Sequence, residues 1–126
     1  LEPDGALVIN VGRAPGDRRL IDGLATTIAT IFPSVHVMDI PATFNSMLYA
    51  TLQPTRAEDL RLNLARLLAR GDVHPLLAES LGMTLAYLAP APERTLVFTD
   101  DLAPIEWITN DMILDYLLQA GSEAGQ

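Results

Sequence analysis

Cysteine is absent from the 126-residue chain. That removes disulfides, thiolate nucleophiles and thiolate metal ligands, and it fits a reducing compartment; a cytoplasmic protein is expected. Basic residues are scarce, with 8 Lys and Arg against 16 Asp and Glu, and the net charge is −8. No basic cluster exists and aromatic residues make up only 6% of the chain. Nucleic acid is therefore not an expected partner, because phosphate contacts need Lys and Arg. An acidic surface of this kind tolerates cationic ligands such as polyamines. No apolar run approaches the ~18 residues of a membrane-spanning helix, and no signal-peptide pattern is present. The two histidines, His36 and His74, show no His-x-x-x-His spacing. A metal needs three or four ligands, so no metal site is expected. His36 reads as a half-exposed strand residue, and His74 as the residue before a helix start at Pro75. A Gly-x-Gly-x-x-Gly loop is also missing. Gly12-Arg13-Ala14-Pro15-Gly16 contains glycine but has neither that spacing nor an acidic residue placed to hold a ribose. The chain has no internal repeat, low-complexity tract or linker.

What is present is enough for one ordered domain: 49% of the residues are hydrophobic and 19% charged. After the turn Glu2-Pro3-Asp4-Gly5, the run Ala6–Val11 is apolar on both faces, the mark of a strand between two helix layers. A helical pattern spans Asp17 to Phe32. Leu20, Leu24, Ile28 and Ile31 form its sheet-facing stripe and Asp17 its N-cap. Arg18 and Arg19 fall in the first turn, where the helix dipole disfavours cations, so they point to surface contacts or anion binding. Thr26, Thr27 and Thr30 lower the intrinsic propensity, so this helix depends on burial. A second strand, Val35–Ile40, makes a βαβ unit and implies a right-handed parallel pair. The link from Ile40 to Phe44 is too short for another crossover, so the third strand, ending near Leu52, returns antiparallel.

Thr55-Arg56-Ala57-Glu58 reads as a capping box opening a helix with the stripe Leu60, Leu64, Leu67 and Leu68, stopped by Gly71. Pro75 starts a second helix with the stripe Leu77, Leu81, Leu85 and Leu88, stopped by Pro90 and Pro92. A strand or extended segment at 95–98 leads to Asp100, Asp101 and a final helix, Ile105–Leu118. Trp107, Ile108, Met112 and Leu117 are its expected buried residues. The chain thus divides into a sheet section (1–52), a helical hairpin (53–94), a C-terminal segment and helix (95–120) and a frayed tail (121–126). A strand this close to the first residue, in a chain not beginning with Met, suggests a piece of a longer domain.

Four motifs carry a resemblance. Leu1-Glu2-Pro3-Asp4-Gly5-Ala6-Leu7 resembles the Leu-x-x-Asp-Gly-x-Leu that leads into the fifth strand of spermidine and spermine synthases, the aminopropyltransferases. Ile31-Phe32-Pro33 is similar to their Phe-Pro after the next helix, and Ile40-Pro41-Ala42-Thr43-Phe44 to their Ile-Pro-Thr-Tyr turn. Thr99-Asp100-Asp101-Leu102-Ala103-Pro104-Ile105-Glu106 resembles the Thr-Asp-Asp-x-Ala-Pro-Val-Glu of bacterial synthase-like proteins, some of them fused to membrane transporters. The resemblance covers roughly 1–52 and 95–118. It implies an α/β chain that forms the C-terminal half of a Rossmann-like S-adenosylmethionine-dependent methyltransferase fold, with its βαββ ending, plus C-terminal helices. Asn45–Leu52 would then lie antiparallel between the two parallel strands.

The parent would transfer an aminopropyl or methyl group from an S-adenosyl donor to an amine. The donor's glycine loop and the catalytic Asp of the family would precede Leu1, so this chain alone is expected to be inactive, with no catalytic residue and no cofactor site. What it would contribute is part of the amine pocket. By the resemblance, Asn10 stands where the family has a polyamine-binding Gln, and Phe44 where it has a Tyr whose hydroxyl binds the polyamine. Asp100, Asp101 and Glu106 are the other candidate substrate contacts, through a cationic tail. Read structurally, Asn10 ends a strand, Phe44 fills core, Asp101 caps the last helix and Glu106 sits in its first turn. The expected partners are the missing N-terminal half and a second copy in a homodimer, because Ala6–Val11 would otherwise keep an unpaired edge. The rival reading is a non-catalytic interaction or assembly module whose sheet edge and hairpin bind another protein.

Overall fold

Three strands and four helices are arranged as a mixed α/β unit in the computed structural model, which describes residues 2–102 and 104–123. In chain order they are β1 (Ala6–Gly12), α1 (Arg19–Ile28), β2 (Ser34–Asp39), β3 (Asn45–Thr51), α2 (Ala57–Arg70), α3 (Pro75–Ala86) and α4 (Ile105–Glu123). The sheet order is β1-β3-β2. β3 pairs antiparallel with both neighbours, so β1 and β2 run in the same direction on either side of it, as the sequence reading expects. The turn that returns the chain is tight. Ile40 N–H donates to the Asn45 carbonyl at 3.0 Å, and the Thr43 hydroxyl donates to the Ile40 carbonyl at 3.0 Å.

Register decides what the sheet buries. Ile9 and Val37 both face Leu48 across the ladders, and Leu7 and Val35 both face Ala50. These side chains share one face. Leu20, Ile21 and Ala25 of α1 and Ile108 and Met112 of α4 close over it to form the core. Val8 points the other way and is 49% exposed. β1 is therefore covered on one face only, not on both as its composition suggests. On that second face the α2–α3 hairpin lies over the β2 side, where a cleft is lined by His36, Tyr49, Leu60, Leu81 and Leu88. The outer edge of β2 is closed by the chain leaving α3: Ala89 N–H donates to the Val37 carbonyl at 2.8 Å and Asp39 N–H to the Tyr87 carbonyl at 3.2 Å.

Several local readings need correction. α1 starts at Arg19, with Asp17 one position outside the cap and its Oδ1 accepting from Arg19 N–H at 3.0 Å. It ends at Ile28, so Ile31 is exposed rather than part of the stripe. The threonines tie the helix to its surroundings. The Thr26 and Thr27 hydroxyls donate back to the carbonyls of Asp22 and Gly23, and they accept from Thr95 N–H and Phe98 N–H at 3.0 and 2.8 Å. They thereby hold residues 95–98 as an extended segment against α1, without a strand of its own. Gly23 gives the Phe98 ring its seat, since a Cβ there would lie 2.4 Å from Cζ of Phe98.

The capping interaction of α2 is made one residue later than expected, with Arg56 N–H donating to Asp59 Oδ2 at 2.7 Å. Thr55 is occupied elsewhere: its N–H donates to Ser34 Oγ at 2.7 Å, and its hydroxyl meets His36 Nε2 at 3.0 Å. His74 caps α3, with Nδ1 accepting from Leu76 N–H. In α4, Ile108 and Met112 are buried as expected, but Trp107 and Leu117 are exposed. α4 also continues through Gly121 to Glu123, past the expected start of the frayed tail. Leu1 and Ala103 of the motifs, and 124–126 of that tail, lie outside the described residues. No described helix is long and apolar enough to cross a membrane.

Candidate functional site

β1 and β2 end on the same side of the sheet, and the residues that follow them converge there with the first turn of α1. Asp39 is the hub. Directly across the β2–β3 ladder from it is Ser46, whose hydroxyl donates to Asp39 Oδ1 at 2.6 Å. Arg18 Nη1 donates to Asp39 Oδ2 at 2.9 Å, and Arg13 Nε lies 3.7 Å from Oδ1. Burial pushes the Asp39 carboxyl up, but the Ser46 hydroxyl and the Arg18 and Arg13 guanidiniums together outweigh it and hold it below the ordinary value. Asp39 is thus an anion under neutral conditions.

Asp22, one turn into α1, behaves in the opposite way. Its side chain is only 9% exposed, and Arg18 Nε lies 3.7 Å from its Oδ1. Neither Asp22 Oδ1 nor Arg18 Nη2 has a hydrogen-bond partner among the described residues, although both are buried. Burial raises the Asp22 pKa, and the Glu93 and Asp39 carboxylates raise it further, against the lowering by the Arg18 guanidinium and by a hydrogen bond from the Glu93 backbone. Arg19 is used structurally. It pairs with Asp17 at the start of α1 and reaches Asp111 and Asp115 on α4, tying the two helices together.

Two clefts open at this end. One, of about 580 Å³, is lined by the carboxylates of Asp17, Asp22, Glu93 and Asp115 and by only two guanidiniums, Arg18 and Arg19. The other, of about 410 Å³, is apolar and lies between the 12–15 loop, Phe44 and the Thr109–Leu117 face of α4. Ala14, Pro15, Met112 and Tyr116 line both, so the clefts share a wall.

Of the five candidate substrate contacts named from the sequence, only Phe44 lines either cleft. It is not core: it is 54% exposed, and its ring meets Tyr116 of α4 edge-on at 5.4 Å. Asn10 is exposed on the second face of β1, beside Val8. Asp100 and Asp101 sit at the tip of a turn closed by two hydrogen bonds between Thr99 and Leu102, at 3.1 and 2.9 Å. α4 begins after this turn, at Ile105, with the Pro104 carbonyl accepting from Ile108 N–H. Glu106 is exposed in the first turn. These five residues do not converge on one cleft of the two. The residues that do converge include Arg13, Asp22 and Asp39, which motif reading passed over. The one signal was the unfavourable Arg18-Arg19 pair at a helix start, and its explanation is the carboxylates of Asp39, Asp22, Asp17, Asp111 and Asp115 around it. No family model, no curated protein and no solved structure matches the chain.

Proposed function

We propose that this chain forms the acceptor-amine side of an aminopropyltransferase-like domain, whose parent transfers an aminopropyl or methyl group from an S-adenosyl donor. The sheet order, with an antiparallel strand between two strands of common direction, supports this reading. The observation that carries the amine is Asp22: a carboxylate nine-tenths buried, without a hydrogen-bond partner on Oδ1, in a cleft where carboxylates outnumber guanidiniums. An ammonium group entering the cleft beside Asp22 offsets the local excess of negative charge. Asp39 pairs with Arg18 from the other side. The donor site and the general base would come from residues outside this chain. Calorimetry on the chain tests the amine half. Putrescine and other amines should bind at high micromolar to millimolar Kd, more weakly in 0.5 M salt and at least tenfold more weakly in Asp22→Asn, while S-adenosylmethionine and its decarboxylated form give no binding. Absence of any amine binding at 10 mM would overturn the amine half, and micromolar donor binding the division of labour.

A second reading, a non-catalytic assembly module, is favoured by one feature. Among the described residues no strand pairs with the outer edge of β1, and β1 carries no charge or proline to blunt it. Edge-to-edge pairing in a two-fold dimer would satisfy that edge. Sedimentation at tens of micromolar should then show a dimer that Val8→Pro converts to monomer. A wild-type monomer would contradict pairing through β1.

A further inference from the structure

We infer that the amine bound here carries an aryl or similarly flat apolar group, with its ammonium in the Asp22 cleft and its ring in the apolar cleft between Phe44 and α4. This rests on the amine reading above and narrows it.

The two clefts share the wall made by Ala14, Pro15, Met112 and Tyr116, so a ligand anchored in one reaches the other over a short distance. Their chemistry differs sharply. The first is lined by acidic side chains. The second has Leu20, Phe44, Met112, Ile113 and Tyr116 on its walls. At about 410 Å³ it has ample room for a ring, given that an apolar cavity of about 150 Å³ holds benzene. Phe44 and Tyr116, already in edge-to-face contact at 65° between planes, are walls against which a further ring packs favourably. The same cleft rejects the far end of a diamine. Its one charged lining residue is Arg13, already paired with Asp39, and its surface offers no carboxylate to pair with a second ammonium. A linear polyamine would fit the acidic half and waste the apolar half; a monoamine with a ring fills both.

The test is a titration of the ¹⁵N-labelled chain with 2-phenylethylamine, putrescine and 2-phenylethanol, followed by amide shifts. The expected result is that 2-phenylethylamine binds at least tenfold more tightly than either other compound, moving amides in the first turns of α1 and on the Thr109–Leu117 face of α4. Ile113→Arg, a change at a half-exposed position with the fold checked by the amide spectrum, should erase the preference over putrescine while putrescine itself still binds. Asp22→Asn should erase the preference over 2-phenylethanol. Putrescine binding as well as or better than 2-phenylethylamine would overturn this inference and leave the amine reading standing. 2-Phenylethanol binding as well as the amine would overturn the joint use of the two clefts. No binding by either amine would overturn the amine reading itself, and this inference with it.

Discussion

Leu48→Ala is expected to lower stability by about 4 kcal/mol, enough to shift Tm by roughly 10–20 °C. Leu48 sits mid-way along the central strand and is 0% exposed. Its neighbours across both ladders are Ile9 and Val37. It therefore lies where the two outer strands and the helix layer meet, and the void left by truncation has rigid sheet on both sides and cannot collapse easily. Val8→Ala on the same sheet should cost less than about 1 kcal/mol, because Val8 is half exposed on the opposite face. The pair tests register: a slip of one residue would exchange the two faces, and equal losses for the two variants in urea unfolding would contradict the placement.

Asp39→Ala is expected to cost about 2 kcal/mol at pH 7. The carboxylate is about one-third exposed, so solvent screening keeps the loss below that of a fully buried pair. Its removal leaves the Arg13 guanidinium without its counter-ion, leaves Arg18 with only the longer pairing to Asp22, and leaves the buried Ser46 hydroxyl without its acceptor. The effect depends on pH in a defined direction. The folded pKa lies below the ordinary 3.8, so the stabilisation is present above the unfolded pKa and is lost as pH falls through the folded one. The gap between wild type and Asp39→Ala should therefore narrow below about pH 4. Asp100→Ala, in an exposed turn, should stay within about 0.5 kcal/mol at every pH. A gap for Asp39→Ala that is constant with pH would mean that packing, not charge, is what it contributes.

The fold was legible where one physical rule decides locally. Pro41 and the short Ile40–Phe44 link forced a reversal, and the apolar runs on either side of α1 forced two strands in one direction. Their common partner, β3, was placed by the family resemblance rather than by any pattern in 45–51. Misreadings arose where composition has no phase. β1 is apolar at successive positions, so its pattern cannot tell a strand covered on both faces from one covered on one. α4 carries Trp107, Ile108, Met112, Ile113 and Leu117 around more than one side, so the buried pair, Ile108 and Met112, is selected by contact with α1 and the sheet and not by spacing. The charged hub was hidden for another reason. Asp39 meets Ser46 through strand register and Arg13 through a loop, so the cluster exists only once the three strands are in order. Arg18-Arg19 alone announced it, as two cations at the wrong end of a helix. Thr55 shows the reverse case: its sequence context fits a capping box, but tertiary contacts to Ser34 and His36 compete and win.

The most direct measurement of the central proposal is a transfer assay on the polypeptide encoded by the whole reading frame to which these residues belong. The polypeptide would be supplied with decarboxylated S-adenosylmethionine or S-adenosylmethionine and, as acceptor, 2-phenylethylamine or putrescine. The expected result is amine-dependent release of 5′-methylthioadenosine from the first donor, or of S-adenosylhomocysteine from the second, falling at least tenfold in Asp22→Asn with the fold preserved. Full activity in Asp22→Asn, or no amine-dependent release from either donor by a folded protein, would contradict it.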